Sequence, residues 1–400
     1  IKNMRLQLIA FFALVCINFA IDFYIYFRII RKTCWYVWLR ISYWGINCLL
    51  LAAFLFAYAL MKNHQDVDNR MVFIWFMFIY FLVYAPKITY FLLSVWDYVS
   101  CLFRKKMLRI FHYAGIVGAL FVFGSMAYGA FINRERLVIR ELSVESSRLP
   151  EGFNDYKIVQ ISDIHLESFG SDTIFISEMV RQVNKLEPDL IVFTGDLVTL
   201  RSAELEPFLH VLSGLKAKNG VYSILGNHDY GDYVPWKNVS EKLEDRKLLR
   251  IREKEMGWRM LNNESVYLYS GNDSVALIGV ENWGEPPFPR YGNLRAAYPD
   301  LNDDCFKILL THNPMHWDEE VISGTNIDLS FSGHTHAMQI KLQLGDWRYS
   351  PAEIRYPRWS GLYREGNQYL YVNEGIGCVF MPMRVGATPE ITVIRLKCIS

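Results

Sequence analysis

Asp, Asn and His residues are concentrated in five short motifs between residues 162 and 336 of this 400-residue chain. The chain contains nine His residues, and five of them fall in these motifs. Each motif directly follows a short apolar run. Imidazole nitrogens and carboxylate or amide oxygens are common protein ligands of divalent metal ions. The residues are Asp163, His165, Asp196, Asn227, His228, Asp229, His312, His334 and His336.

The apolar runs before these motifs are rich in β-branched residues, which is typical of buried strands. In open α/β sheets, ligands bind at the carboxyl ends of the strands. The motifs are therefore expected to converge on one site. The predicted strands are 157–161, 190–193, 221–225, 275–280, 306–310 and 328–331, with a strand-like segment at 137–144 and covering helices at 173–186 and 204–215.

The mixture of imidazole and carboxylate groups suits two neighbouring metal ions. Imidazole binds Zn, Fe and Mn, while carboxylate oxygens bind harder cations. One carboxylate can bridge two metals, and a pair about 3.5–4 Å apart can hold both the attacking and the leaving oxygen of an in-line displacement. Glycines precede Asp196, Asn227 and His334, and they fit turns in which the backbone approaches a metal closely.

The ordered motifs D-x-H, G-D, G-N-H-D, a single His and G-H-x-H resemble the calcineurin-like metallophosphoesterases. The resemblance extends over about residues 136–396. It implies an α/β metallophosphoesterase domain built as a four-layer α/β/β/α sandwich, with a two-metal centre at the strand ends. It also implies that the chain is a metal-dependent phosphoric ester hydrolase.

The same resemblance implies a role for each motif residue. Asp196 would bridge the metals, and a hydroxide between them would be the nucleophile. His228 would be the catalytic acid beside the leaving oxygen, with Asp229 or Asp163 nearby to orient it. The implied cofactors are two divalent ions (Mn, Zn or Fe, with Mn favoured). The implied ligands are Asp163, His165 and His336 for one metal and Asn227, His312 and His334 for the other.

The C-terminal segments 373–377, 382–384 and 388–391 resemble the membrane-associated branch of this family that is often named YkuE-like. Arg384 lies in this region and is a candidate substrate-binding residue, because guanidinium groups form strong hydrogen bonds with phosphate. A structural ion pair is the alternative for the same residue.

The first third of the chain is apolar enough to cross a membrane four times. A helix needs about 20 apolar residues to span the hydrocarbon core. The spans are predicted at 6–27, 41–61, 71–96 and 112–131. The chain is thus expected to consist of a four-span transmembrane α-helical bundle over 1–132 and the catalytic domain over 133–400. The first span is too long for a signal-peptide core and is expected to be retained.

Basic residues in the connectors between the spans predict the orientation. In the second connector, Asp66 and Asp68 dilute the positive charge. The first and third connectors are therefore placed in the cytoplasm, and the catalytic domain on the extracytoplasmic side, in a periplasm or lumen. The basic residues are Arg28, Arg31, Lys32 and Arg40 in the first connector, Lys62 and Arg70 in the second, and Arg104, Lys105, Lys106 and Arg109 in the third.

Asp22 and Lys87 are charged residues within the predicted spans. Both lie near span ends, where side chains can reach the interface. A functional role is the alternative, because charges inside a membrane are costly. No transport motif accompanies them.

The segment 346–364 interleaves Trp and Tyr residues with arginines. These residue types favour the headgroup region, so the segment is expected to form a membrane-facing rim beside the site. Packing against the sandwich is the alternative. Arg358 and Trp359 are its candidate substrate contacts, and the aromatic loop 283–291 is expected to line the same mouth.

Together these features predict a membrane-anchored phosphoesterase whose substrate is a lipid or lipid-linked phosphate ester or pyrophosphate. A cytoplasm-facing UDP-2,3-diacylglucosamine hydrolase of lipid A synthesis is an alternative, because that relative has the same metal motifs. A non-catalytic membrane receptor or transport subunit is a further alternative, although the complete motif set favours an enzyme. The net charge of +1 gives no reason to expect a nucleic-acid partner.

Overall fold

A computed structural model describes residues 2–33, 35–63, 67–104, 109–286 and 288–399. The chain divides into two compact units, Ile1–Tyr128 and Gly129–Ser400. Several residues used in the sequence predictions lie outside the residues or side chains that the structure describes. They are Lys62, Asp66, Asp68, Arg104, Lys105 and Lys106 of the connectors and Pro287 of the aromatic loop.

Long apolar helices make up the first unit. Among the described residues, four helical stretches are long and apolar enough to cross a membrane, which confirms the predicted number. The stretches are Phe12–Thr33, Val37–Leu60, Arg70–Ser100 and Ile110–Glu135. The helices themselves are Lys2–Ile25, continued by the π-helical Tyr26–Ile30 and by Arg31–Thr33, then Val37–Asn63, Val67–Ser94, Trp96–Arg104 and Ile110–Phe131.

Asp22 and Lys87 pair inside this helical unit. Asp22 is 3% exposed, and its Oδ1 accepts a hydrogen bond from Lys87 Nζ at 2.9 Å. Its Oδ2 accepts one from the Tyr84 hydroxyl at 2.8 Å. The expectation that these side chains reach the interface is therefore wrong. The two charges pair with each other, because an unpaired buried charge is strongly unfavourable.

Two six-stranded sheets form the centre of the second unit. The strands are β1 Val138–Ser146, β2 Lys157–Ile161, β3 Leu190–Phe193, β4 Val221–Ser223, β5 Trp258–Met260, β6 Glu264–Ser270, β7 Asp273–Gly279, β8 Lys307–Leu310, β9 Leu329–Ser332, β10 Leu342–Leu344, β11 Trp347–Tyr349, β12 Gly361–Glu365, β13 Gln368–Val372 and β14 Glu390–Cys398. One sheet has the order β1-β14-β2-β3-β4-β5 and the other β12-β13-β9-β8-β7-β6, while β10 and β11 form a separate hairpin.

Helices cover the outer faces of the two sheets, as the four-layer sandwich requires. Burial on both faces explains why the sequence of strand β3 is apolar throughout. Ile191 and Phe193 pack on the helix-covered side, whereas Leu190 and Val192 pack between the sheets. A strand buried on both faces has no polar alternation. The predicted α/β/β/α fold is confirmed.

The helical segments of the second unit differ from the prediction in one place. The expected helix at 204–215 is a 3₁₀-helical stretch, Ser202–Phe208, followed by a single turn, Leu209–Leu212. Pro207 lies inside the first stretch and has no N–H to donate to a helix. The other segments are Ile174–Lys185, Val239–Glu255, Leu294–Ala297, Trp317–Val321 and Ile322–Gly324, with short 3₁₀ turns at Asn133–Glu135, Glu151–Phe153, Leu166–Phe169, His228–Tyr230, His336–Gln339 and Pro351–Ile354.

The aromatic segment 346–364 is divided between surface and interior. Trp347 is 58% exposed. Trp359 is buried in an apolar cluster with Ala337, Ala352 and Ala387. Packing on the sandwich, the alternative to a rim, therefore describes Trp359.

A buried carboxyl group lies on the helix Val239–Glu255. Glu253 is fully buried and accepts a hydrogen bond from Ser223 Oγ. Its Oε1 has no hydrogen-bond partner in the described part of the chain. Burial, reinforced by the charge of Asp229, raises the pKa of Glu253 to about 8. The folded state therefore holds a proton here that the unfolded state releases at lower pH.

We expect Glu253→Gln to change how stability depends on pH. Because the folded pKa is raised, the wild-type protein should lose stability as pH rises from about 4.5 to about 8. The glutamine variant, which mimics the protonated acid, should lose less over this range. Thermal unfolding in detergent at several pH values measures the difference. Glu255→Gln, at an exposed position on the same helix, is the control, and identical pH profiles for the Glu253 variant and the wild type would contradict the prediction.

Candidate metal centre

Five strands deliver the polar motifs to one place. Strands β2, β3 and β4 are adjacent and parallel in one sheet, and β8 and β9 are adjacent and parallel in the other. The motif residues follow the carboxyl ends of these strands. The two sheets share a buried core, so the ends of both strand sets meet at one edge of the sandwich.

The potential ligands form three overlapping groups, and two of these contain only residues predicted to bind metal. The third is His165, Asp196 and His228. Within each group the ligand atoms lie within 4.8 Å of one another. Asn227 joins the second group, since its Oδ1 is 3.1 Å from His312 Nε2. The structure thus brings together all the residues predicted to bind metal. The first group is Asp163, His165 and His336, and the second is Asp196, His312 and His334.

Asp196 lies between these groups. Its Oδ2 is 3.1 Å from His312 Nε2 and 3.5 Å from His165 Nε2. Its Oδ1 accepts a hydrogen bond from the backbone N–H of His228 at 2.8 Å. One oxygen therefore faces both groups, which is the arrangement that a bridging carboxylate requires.

Ring nitrogens face one another across the site. His165 Nε2 lies 3.1 Å from His336 Nε2, and His334 Nδ1 lies 3.2 Å from His312 Nε2. Nitrogens bonded to a common ion at about 2.0–2.1 Å are themselves about 3 Å apart. Facing lone pairs repel unless a proton or a cation lies between them. The donor set therefore fits divalent metal ions.

Hydrogen bonds at the outer ring nitrogens orient the imidazoles. His312 Nδ1 donates to the carbonyl oxygen of Thr194 at 2.7 Å, which leaves Nε2 for the site. His334 Nε2 lies 2.8 Å from the hydroxyl of Tyr356, which turns Nδ1 inward. Outer contacts of this kind commonly fix the ring orientation of metal-binding His residues.

Burial and neighbouring charges set the protonation of the cluster. Burial lowers the pKa of His165 and lowers that of His334 to about 3. Burial also lowers the pKa of His312, but Asp196, Asp163 and the Thr194 carbonyl together outweigh it and raise that pKa to about 9. The carboxyl groups of Asp163 and Asp196 keep a pKa below their usual value, because nearby imidazoles outweigh the effect of burial. The cluster thus presents two carboxylates, and a bound cation would displace the His312 proton.

The loops that carry the ligands have strained backbones. Positive φ values between 45° and 72° occur at Asp163, His165, Asp196, His334 and His336. This left-handed region costs a non-glycine residue about 1–2 kcal/mol. A Cβ atom on Gly226 would lie 2.2 Å from Asp196 Oδ1, and one on Gly333 would lie 2.1 Å from Asp163 Oδ2. Only glycine fits where the backbone passes this close to the carboxylates.

The ring of His228 is held by a backbone carbonyl and an aromatic neighbour. Its Nδ1 donates to the carbonyl oxygen of Thr199 at 2.8 Å, and its ring stacks on Tyr233 with 4.2 Å between centroids. Nε2 is the nitrogen left to face a substrate. The expected orientation by Asp229 or Asp163 is wrong, because the Thr199 carbonyl takes that position.

Asp229 organises the backbone instead. Its Oδ2 accepts hydrogen bonds from the N–H groups of Asp196 and Gly226 at 2.8 and 2.9 Å. Its Oδ1 accepts them from Leu197 and Val198 at 2.9 and 3.1 Å. Asp229 is therefore a positioning residue rather than a catalytic one, and it ties the loop after β3 to the turn after β4.

Arg384 is fully buried rather than exposed to substrate. Its guanidinium donates to the carbonyl oxygens of Gly377 and Glu374 at 2.8 and 2.9 Å. Its Nη2 lies 3.0 Å from His336 Nδ1. The expected contact with a substrate phosphate is thus wrong. The guanidinium of Arg384 instead contacts His336 and the backbone carbonyls of the C-terminal loop.

The other two expected substrate contacts are also engaged elsewhere. Arg358 forms ion pairs with Asp318 and Glu365 at 2.8 and 2.9 Å. Trp359 is 3% exposed and contributes to the apolar cluster described above. Neither residue is among the described residues that line the two cavities beside the cluster.

Two cavities open onto the cluster. The larger one has a volume of about 410 Å³ and the other about 330 Å³. Asn227, Tyr233 and His334 line both cavities. The larger cavity has an apolar wall formed by Met338, Ile340, Val379, Phe380, Met381 and Met383. The other walls of the smaller cavity include Asn282, Glu285, Phe288, Asn313, Arg355 and Tyr356.

Sequence reasoning did not identify Tyr233, Thr199 or the apolar wall as parts of the site. Tyr356 belongs to the aromatic segment 346–364, and its place in that segment is the sequence feature that could have indicated a role at the site. Tyr233 follows His228 by a few residues without a recognisable pattern. The apolar wall comes from two separate segments that meet only in the folded chain.

Comparisons with known proteins agree with this geometry. Residues 156–338 match the family described as "Calcineurin-like phosphoesterase". Residues 4–134 match the family described as "Probable Calcineurin-like phosphoesterase, transmembrane domain". The two matches correspond to the metal-binding half and the helical half of the chain.

Several curated proteins are similar to the chain. It is 30% identical over 308 residues to "Uncharacterized metallophosphoesterase YkuE" of Bacillus subtilis, covering 74% of this chain and 97% of that protein. It is 30% identical over 275 residues to "Transmembrane protein with metallophosphoesterase domain" of Bos taurus, covering 65% of this chain and 57% of that protein. It is 28% identical over 300 residues to "UDP-2,3-diacylglucosamine pyrophosphatase LpxG" of Chlamydia trachomatis, covering 62% of this chain and 86% of that protein.

We expect Asp229→Asn to weaken metal binding by about 10–100-fold, because its amide N–H groups would face backbone donors and disturb the loop that carries Asp196. Asp196→Asn should lose metal as well, since it removes an oxygen shared by both ligand groups. Elemental analysis of purified protein after equilibration with Mn²⁺ measures both effects. Asp232→Asn removes a carboxylate that pairs with Lys242 and should retain the metal. Full metal content in the Asp229 variant would contradict its positioning role.

Proposed function

The chain belongs to the calcineurin-like phosphoesterase family, and from this premise we propose that it is a membrane-anchored hydrolase with two divalent metal ions, Mn²⁺ favoured. Its proposed substrate is a phosphate ester or pyrophosphate of a lipid or lipid-linked molecule. The observation that carries the substrate assignment is the apolar wall beside the metal-binding cluster.

The two ligand groups would each hold one metal ion, with Asp196 between them. Two bound divalent cations neutralise charge on phosphoryl oxygens and lower the pKa of water, so that hydrolysis proceeds at neutral pH. The carboxylate and amide oxygens of the set suit Mn²⁺, and the imidazoles also suit Zn and Fe. His228 donates its Nδ1–H to the Thr199 carbonyl and presents Nε2 to the substrate. As the imidazolium it would pass the Nε2 proton to the leaving oxygen and return to the neutral ring, which the lowered pKa of this buried imidazole favours.

The apolar wall offers a place for a hydrocarbon chain. Met338 is 48% exposed and Phe380 is 51% exposed, although both adjoin a charged cluster. Phe380 has a φ of 62°, an unusual conformation for a bulky side chain. Exposed apolar surface in a cavity is typical of ligand binding. This surface therefore supports a substrate with an apolar part next to its phosphate.

The loop that carries the wall is also hydrogen-bonded to an apolar helix. The N–H of Arg384 donates to the carbonyl oxygen of Gly129 at 3.0 Å. The Asn133 side chain donates to the carbonyl oxygen of Arg384 at 2.8 Å. Gly129 and Asn133 belong to the membrane-length stretch Ile110–Glu135. Both hydrogen bonds lie within the second unit, Gly129–Ser400.

The second cavity favours a substrate with a polar group on the other side of its phosphate. Its walls combine aromatic rings with amide and charged side chains, which suit a sugar or a nucleotide. A UDP-2,3-diacylglucosamine pyrophosphatase is therefore the second candidate function, and the similarity to the chlamydial protein of that name supports it.

We expect Phe380→Ser to raise the KM for a long-chain lipid phosphate about tenfold, because burying a Phe side chain contributes about 1.5–3 kcal/mol. The KM for a soluble aryl phosphate should not change. Phosphate release by the full chain in detergent with Mn²⁺ measures both. The panel includes phospholipids, isoprenyl phosphates and UDP-diacylglucosamine.

Two variants calibrate this assay. His228→Ala should reduce kcat on every substrate by about 10²–10⁴-fold while the metals stay bound. Tyr269→Ser, at an exposed aromatic position on β6, should change neither substrate. If Phe380→Ser altered both KM values equally or neither, the lipid assignment would fail while the phosphoesterase assignment stood. Wild-type turnover in His228→Ala would overturn the role of His228.

We also propose that the catalytic unit faces the extracytoplasmic side, on the basis of the basic first and third connectors. Lys216→Cys, in a background without other Cys residues, should react with a membrane-impermeant maleimide in intact cells, because Lys216 is exposed. Arg31→Cys in the first connector should react only after permeabilisation. The opposite labelling pattern would place the catalytic unit in the cytoplasm and favour the second candidate function.

A further inference from the structure

A basic cavity lies at one end of the helical unit, and none of the residues that line it belongs to the metal-binding cluster. Its volume is about 230 Å³. It is formed where the stretch Phe12–Thr33 ends and the stretch Ile110–Glu135 begins. Of the seven described residues that line it, three are Lys or Arg and none is acidic. The lining residues are Arg28, Ile29, Lys32, Thr33, Arg109, His112 and Tyr113.

The inner wall of the cavity is fixed by a buried polar network. Arg28 is buried and forms an ion pair with Asp97. Its Nε donates to the hydroxyl of Tyr90 at 3.1 Å, and the same hydroxyl lies 2.7 Å from His112 Nδ1. Asp97 Oδ1 also accepts the backbone N–H of Phe111 at 3.1 Å. The network joins three membrane-length helices and orders the residues that line the cavity.

The outer wall carries charge that the described chain does not neutralise. Asp97 balances Arg28. In contrast, Lys32 and Arg109 are exposed and form no ion pair within the described residues. The cavity therefore presents two uncompensated cations around a preformed space. Such an arrangement attracts an oxyanion.

Apolar side chains flank these cations. Ile110 and Tyr113 are exposed next to Arg109 and His112, at the end of a membrane-length helix. A ligand that satisfies both features has a phosphate group and hydrocarbon chains. A free phosphate ion would use the cations but leave the apolar surface uncovered.

We propose that this cavity binds the headgroup phosphate of an anionic phospholipid. Lys32 and Arg109 contact the phosphate oxygens, and the acyl chains lie along Ile110 and Tyr113. Basic pockets between membrane helices are known to suit anionic headgroups. The site does not depend on the catalytic activity proposed above, because it consists of different residues and requires no reaction.

Lipid retention by the full-length protein tests the proposal. The protein is placed in phosphatidylcholine nanodiscs with or without phosphatidylglycerol, and bound lipid is counted by native mass spectrometry after release. The double variant Lys32→Gln/Arg109→Gln should bind phosphatidylglycerol roughly tenfold or more weakly, because each basic residue near a membrane surface contributes about 1 kcal/mol. The variant Lys32→Arg/Arg109→Lys should keep binding, which separates lost charge from lost folding.

The matched control is Arg31→Gln/Arg40→Gln. It removes two positive charges, as the cavity variant does, but both come from the first connector and neither residue lines the cavity. Retained binding in this control, with loss in the cavity variant, supports the proposal. Equal losses in both pairs would indicate diffuse surface charge and overturn it, as would no loss in either pair. Displacement of phosphatidylglycerol by inorganic phosphate at equal concentration would also overturn it, because the site would then recognise phosphate alone.

Discussion

The metal-binding cluster depends on loops that are held against their own conformational preference. Five of the proposed ligands have left-handed backbone angles, and each costs about 1–2 kcal/mol. Hydrogen bonds between these loops offset this cost. The carboxylate of Asp229 gathers four backbone N–H groups, and the carboxylate of Asp163 accepts the N–H of His334. The ligands are therefore part of the network that shapes their own loops, so the cluster and the fold around it are stabilised together.

The parts of this site that depend on local sequence patterns could be predicted, and the parts that depend on tertiary contacts could not. The strands β2 and β3 match their predicted bounds, because short β-branched runs buried on both faces leave a clear pattern. The seven residues expected to bind metal were identifiable because each follows such a run. Arg384 was misjudged because a buried and an exposed arginine are identical in sequence. Its burial arises from carbonyl groups of Gly377 and Glu374, which are near in sequence but are turned inward only by the tertiary fold.

Tyr356 shows the same limit of sequence-based prediction. The aromatic segment was recognised, yet composition could not separate the residue that contacts His334 from Trp359, which packs in the interior. Likewise, His228 was found from its motif, but the carbonyl that orients it belongs to Thr199. The backbone carbonyl group is the same in every residue type. Contacts made by them are therefore visible only once the chain path is known.

Buried charge in the helical unit argues that this unit does more than hold the chain in a membrane. Asp22 pairs with Lys87, and Arg28 pairs with Asp97; each pair joins the first and third membrane-length stretches. Buried ion pairs contribute little net stability compared with apolar packing, and a plain anchor gains nothing from them. They do fix the relative register of two helices, because a displaced helix would leave a charge without its partner. A defined register is what a binding cavity between helices requires, whereas an anchor requires only hydrophobic length.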